Sequence, residues 1–143
     1  MARVCKPNHR IGIIDLLASE DEKVSEKYND LERLRDPSHT VAQSKIQMEK
    51  LLTEAGIAVE RMETRDVEVD FQRWVQMTGT KPDAIALIKE ELMNDINIGS
   101  KTGMRPYIES GYLKFLQVWS IIIGRNISAS RQPPPVQAAS RGT

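Results

Sequence analysis

The sequence has a single cysteine, Cys5, among 143 residues. That excludes an internal disulfide, and a reducing, intracellular setting is the expectation. No charge predominates: 20 basic residues balance 20 acidic ones, and the two signs are interspersed. A nucleic-acid surface needs a basic stripe, so that class of partner is excluded. No apolar run approaches the roughly 20 residues that cross a bilayer. The opening "MARVCKPNHR" lacks the apolar segment of a signal peptide. A cytoplasmic chain with no membrane partner is therefore expected. The eight glycines never fall as G-x-G, and no P-loop, metal motif or nucleophile elbow occurs.

The length suits one domain with a real core. "RIGIIDLL" (10–17) is a short apolar run after the turn-forming "KPNH", which predicts a strand buried on both faces. "SEDE" (19–22) has the form of a capping box, with Ser19 and Glu22 reciprocally bonded. Val24, Tyr28, Leu31 and Leu34 then form the apolar stripe of a helix that ends near Arg35, because Pro37 disfavours helical geometry at Asp36. "SKIQ" at Ser44 opens a second helix carrying Met48, Leu51, Leu52 and Ala55, closed by Gly56. The β-branched stretch 57–69 predicts a strand. Two helices follow, over 70–79 and 80–96, the second with Thr80 as its candidate cap. "YLKFLQVWSIIIG" (112–124) predicts a long central strand. The tail from 127 to 143 is rich in proline, serine and alanine without periodicity, and is expected to be disordered.

Strand, two helices, strand, two helices, strand is an α/β order with too few strands for a complete doubly wound sheet. "MARVCKPNHRIGIIDL" resembles the turn and fifth strand of class I S-adenosylmethionine-dependent methyltransferases. "LERLRDPSHT", "LLTEAG" and "DVEVDFQRWV" resemble the C-terminal half of the subset grouped near ubiquinone and menaquinone biosynthesis. The resemblance runs from Met1 to about Arg125. It implies that residues 1–126 form the C-terminal, substrate-side portion of a Rossmann-like methyltransferase fold. Three strands, the family's fifth, seventh and sixth in that spatial order, would make the sheet, the last in sequence antiparallel. Two departures stand out. The family turn carries glycine where this chain has Asn8 and His9. The family also holds S-adenosylmethionine with a glycine-rich loop after its first strand, and this chain has no such loop. The resemblance thus implies that the chain alone binds no cofactor.

"RLRDPSHT" (33–40) concentrates the chemically useful groups. The resemblance places it over the carboxyl end of the sheet, with Arg35 and Asp36 binding a small-molecule acceptor and His39 taking its proton. The same residues also read as a helix end, in which Asp36 and Ser38 make turn bonds and the arginines pair with Glu32. Asp15 stands either as a pocket acid or as a strand-end turn former. Phe71, Trp74 and Met77 are lid or core. The leading expectation is the acceptor-binding portion of a methyltransferase, encoded by a split or truncated frame. The alternative is a non-enzymatic interaction or regulatory module built on that fold. In either case the edge of strand 10–16 lacks a neighbour, which predicts pairing with a missing N-terminal half or with a second copy.

Overall fold

The computed structural model describes residues 5–99 and 101–127. The predicted tail lies outside them except for Ile127, whose amide donates to the Gly56 carbonyl at 2.8 Å. In chain order the elements are β1 (Arg10–Leu17), α1 (Glu22–Arg35), α2 (Lys45–Glu54), β2 (Ile57–Asp70), α3 (Phe71–Met77), α4 (Pro82–Ile98), β3 (Tyr107–Glu109) and β4 (Tyr112–Asn126).

The sheet runs β1-β4-β2, with β4 antiparallel to both neighbours. This is the expected order and sense of the three strands. A short fourth strand was not foreseen: β3 forms a hairpin with β4 through Ser110 and Gly111, both at positive φ. It continues the line of β1 along the same side of β4. Between the two, the Leu116 amide donates to the Met104 carbonyl at 2.8 Å.

Residue alternation along β4 separates two cores. On one face Ile122 packs with Ile11, Leu17 and Ile57 under Met48 and Leu52 of α2. On the other, Leu113 and Phe115 pack with Tyr28 and Leu31 of α1, Trp74 and Val75 of α3, and Ile88 and Leu92 of α4. Trp74 meets Phe115 edge-on, with centroids 4.9 Å apart, a favoured aromatic geometry. β2 passes so close to β4 that a Cβ on Gly124 would lie 2.4 Å from the Ile57 methyl; glycine is required there.

Several local expectations hold. Ser44 and Gln47 form the reciprocal capping box of α2. α1 ends at Arg35, and Asp36 is extended before Pro37. Asn8 takes the left-handed turn position at φ 62, where the family turn has glycine. Others are corrected. Asp21, not Ser19, caps α1, its Oδ1 accepting from the Lys23 and Val24 amides at 3.0 and 3.2 Å. Ser19 instead accepts from the Asp21 amide. Glu20 turns to the neighbouring helix, accepting from the Ile46 amide at 3.0 Å. Thr80 does not cap α4; Lys81 occupies that position without a side-chain bond, and the Thr80 hydroxyl donates to the Arg35 carbonyl at 3.0 Å.

β1 is not buried on both faces. Ile14 is 67% exposed, because β1 is the sheet's edge and no described helix covers that part of the face. Among the described residues no strand pairs with the outer edge of 10–16, the edge expected to lack a neighbour. It ends at a parallel bridge between Leu17 and Gln43, where the Ala18 amide donates to the Gln43 carbonyl at 2.9 Å.

Candidate functional site

On the Phe115 face, toward the carboxyl ends of β1 and β2, lies a cleft of about 540 Å³. β1 supplies Leu16, β4 supplies Gln117 and Trp119, and β2 supplies Glu68, Val69 and Asp70. Arg35 comes from the last turn of α1, and Arg73, Trp74 and Met77 from α3. Both tryptophans of the chain are therefore on this lining.

The polar wall is organised by Glu32, which is fully buried. Its Oε1 accepts from Gln117 Nε2 at 2.9 Å. Its Oε2 lies 3.0 Å from Arg35 Nη2, and the Arg35 side chain is only 15% exposed. The guanidinium also lies over the Trp74 ring, 4.7 Å from its centroid, a cation–π contact. Burial, with Glu32 alongside, pushes the Tyr28 hydroxyl far above its ordinary range, so it stays protonated.

The sequence candidates separate here. Arg35 lines the cleft; Asp15, Asp36 and His39 are not on its lining. Asp15 is exposed, with Oδ1 accepting from the Leu16 amide at 2.8 Å. Asp36 accepts from the Ser38 hydroxyl at 2.7 Å and the Ser38 amide at 2.9 Å, and these bonds hold its carboxyl below the usual range. His39 Nε2 sits 2.9 Å from Asn29 Oδ1. That oxygen can only accept, and Asn29 is oriented by the Ala42 amide and carbonyl, so Nε2 carries the hydrogen. Phe71 and Trp74 are buried in the core, while Met77 is exposed at the rim. Gln117 and Trp119 escaped the sequence reading. Their one signal was a glutamine inside the largely apolar run of the central strand.

A second crevice of about 470 Å³ opens where β1 gives way to β3 along β4. Leu17, Val24 and Val118 line it together with Asp95, Lys101 and Arg105. Arg105 is held by a two-pronged pair with Asp66, at 3.0 and 2.6 Å.

The residues present do not make the family's cofactor loop. None of the glycines among the described residues stands between a strand and the helix that follows it: Gly12 and Gly124 lie within strands, and Gly56, Gly79, Gly99, Gly103 and Gly111 in other turns. Among the described residues no group of His, Cys, Asp and Glu is arranged to hold a metal ion, and no helix is long and apolar enough to cross a membrane.

No family model matches the sequence. A Bacillus subtilis (strain 168) protein described as an uncharacterized methyltransferase, YcgJ, is 30% identical over 83 residues, which are 58% of this chain and 33% of the relative. The crystal structure of YcgJ superposes with a TM-score of 0.77 at 24% identity, covering 90% of this chain and 55% of that one. A putative methyltransferase from Bacillus halodurans C-125, BH2331, superposes with a TM-score of 0.75 at 21% identity, covering 87% and 59%. The chain spans between a third and three-fifths of the length of these proteins. With β4 antiparallel between β1 and β2, it carries the methyltransferase fold, in the C-terminal part that holds the family's fifth, seventh and sixth strands.

Proposed function

We propose that this chain is the acceptor-binding portion of an S-adenosylmethionine-dependent methyltransferase acting on a small molecule. One observation carries the reading. Nine-tenths of the chain superposes on a methyltransferase, and a cleft of about 540 Å³ lies on the sheet toward the carboxyl ends of β1 and β2, the end at which open α/β sheets place ligands. When bound, the cofactor supplies an electrophilic methyl group. The chain's own residues contribute position. Trp119, Leu16 and Met77 offer apolar surface to the acceptor, and the Glu32–Arg35–Gln117 network fixes one wall of the cleft. No proton transfer is assigned to His39, which does not line the cleft.

The cofactor loop comes, in this reading, from another polypeptide segment docked along the open edge of β1. Calorimetric titration of S-adenosylmethionine tests it, using this chain alone and mixed with the portion of YcgJ that the chain does not span. The expected result is no binding alone and saturable binding in the mixture, with methyl transfer to an added acceptor. Binding by the chain alone would show a cofactor site made without the loop. Failure of both to bind would overturn the proposal.

The exposed Ile14 on an unpaired edge favours one second reading, an interaction module that uses the same edge without chemistry. It predicts that a partner binds the edge while S-adenosylmethionine binds neither the chain nor the mixture.

A further inference from the structure

We infer that the cleft takes a flat aromatic ring carrying one carboxylate, with Arg73 as its anchor; this rests on the cleft being the acceptor site. Arg73 stands on the lining and is exposed. Among the described residues its side chain has neither an ion-pair nor a hydrogen-bond partner. Only its backbone amide is engaged, donating to Asp70 Oδ1 at 2.8 Å. The acids of the lining are otherwise occupied. Asp70 caps α3 through that bond, and Glu68 takes Lys114 at 2.8 Å and the Tyr107 hydroxyl. A planar guanidinium with its donors unused matches a carboxylate through two parallel hydrogen bonds.

The wall holds two more unused donors. Glu32 engages Arg35 through Nη2, and Arg35 Nε is left buried without an acceptor. Trp119 Nε1 is in the same condition. Buried donors of this kind are rare in folded chains, and each calls for an acceptor from somewhere. Both side chains line the cleft, so a ligand oxygen completes them once they shift to admit it. Arg73 needs no such shift and is the first contact. The apolar part of the lining, Leu16, Val69, Met77 and the Trp119 ring, suits a flat ring system. With Asp70 and Glu68 close by, the second charge of a phosphate would meet repulsion that Arg73 alone does not offset. A carboxylate carries one.

Two probes of nearly equal shape decide the matter: 2-naphthoate, which is an anion, and 2-naphthamide, which is neutral. Because the chain's two tryptophans both line the cleft, their indole N–H resonances report binding by NMR titration. The carboxylate is expected to bind at least about tenfold more tightly than the amide, the scale of a hydrogen bond to a charged group. Arg73→Gln, at an exposed position with no side-chain partner to lose, is expected to cancel most of that preference by weakening naphthoate alone. Arg73→Lys, which keeps the charge without the fork, should restore part of it. 2-Naphthyl phosphate is expected to bind more weakly than naphthoate. Amide binding as tight as naphthoate, or a naphthoate preference that survives Arg73→Gln, would overturn the inference while leaving the methyltransferase reading intact. Tighter binding of the phosphate would overturn the choice of a carboxylate. If neither naphthoate nor naphthamide shifts either indole, the cleft is not the ligand site and the inference fails with it. Methyl transfer in the mixture described above remains the separate test of the wider reading.

Discussion

Gln117, midway along β4, donates from Nε2 to Glu32 Oε1 at 2.9 Å, joining residues 85 positions apart in the chain. Both are buried, Gln117 at 6% and Glu32 at 0% exposure. This bond docks α1 onto the central strand and sets where Arg35 stands. Gln117→Leu removes the donor and leaves a buried carboxylate oxygen without it, which should cost about 1–3 kcal/mol. Urea denaturation followed by tryptophan fluorescence measures the loss. An unchanged midpoint would mean that α1 is held by its apolar face alone.

Gly124 leaves no room for a side chain. Gly124→Ala puts a methyl against a buried, β-branched neighbour, Ile57, at 2.4 Å before relaxation. Overpacking of this kind typically costs about 1–3 kcal/mol. Ile57→Ala removes the Cγ2 methyl that the new side chain meets, so the double variant should lose less than the sum of the two single losses if the clash is the cause, and thermal unfolding of the single and double variants would show it. Additive losses would place the cause elsewhere.

Acid should weaken the fold through three carboxylates on β2. Hydrogen bonds from Arg125 and then Arg10 hold Glu60 below its ordinary range. Arg105 does the same for Asp66, and Lys114 with Tyr107 for Glu68. Each folded-state pKa is depressed, so the unfolded chain binds more protons between the two values. The contribution is therefore complete above the unfolded carboxylate pKa, about 4, and is lost as pH falls through the folded values. These pairs are exposed, and salt should flatten the acid limb. Melting temperature against pH at low and high salt reads this directly. Glu60→Gln should also make the low-salt limb shallower.

Ile14 gives the open edge its apolar character. Ile14→Lys places a charge there at little cost to the folded chain, since the native side chain is mostly in water. Charged residues on edges oppose strand addition. If copies of the chain pair through β1, light scattering should show larger species in the natural chain than in the variant. Monomers in both at high concentration would remove self-pairing as an explanation.

How much of this was legible in the sequence depended on whether the signal was local. The α2 capping box, the stop before Pro37 and the central position of β4 follow from short-range rules and an unbroken apolar run. The α1 cap did not, because "SEDE" offers three candidate oxygens; Glu20 was drawn away to the Ile46 amide and Asp21 took the cap. β3 went unread because three residues carry no periodicity and become a strand only by lying against β4. In the cleft, Arg35 was visible as part of a polar cluster. Gln117 and Trp119 were not, since alternation shows that they share a face without showing which helix ends there. Glu32 was read only as a partner for the arginines at the helix end, and Arg35 is that partner; its full burial and the bond it accepts from Gln117, 85 positions away, were not legible.

The bridge between Leu17 and Gln43 has a mechanical consequence for anything that adds to β1. It is a doorstop. A strand sliding along the edge toward the cleft meets backbone already bonded at Ala18 and can advance no further. The frame of pairing is thereby counted from a fixed end rather than from the weakly patterned residues of β1 itself. Slippage by one residue would turn an incoming strand's apolar side the wrong way, and the stop limits that error in one direction. Chain supplied from outside would thus arrive at the cleft with its final residues already in a defined place.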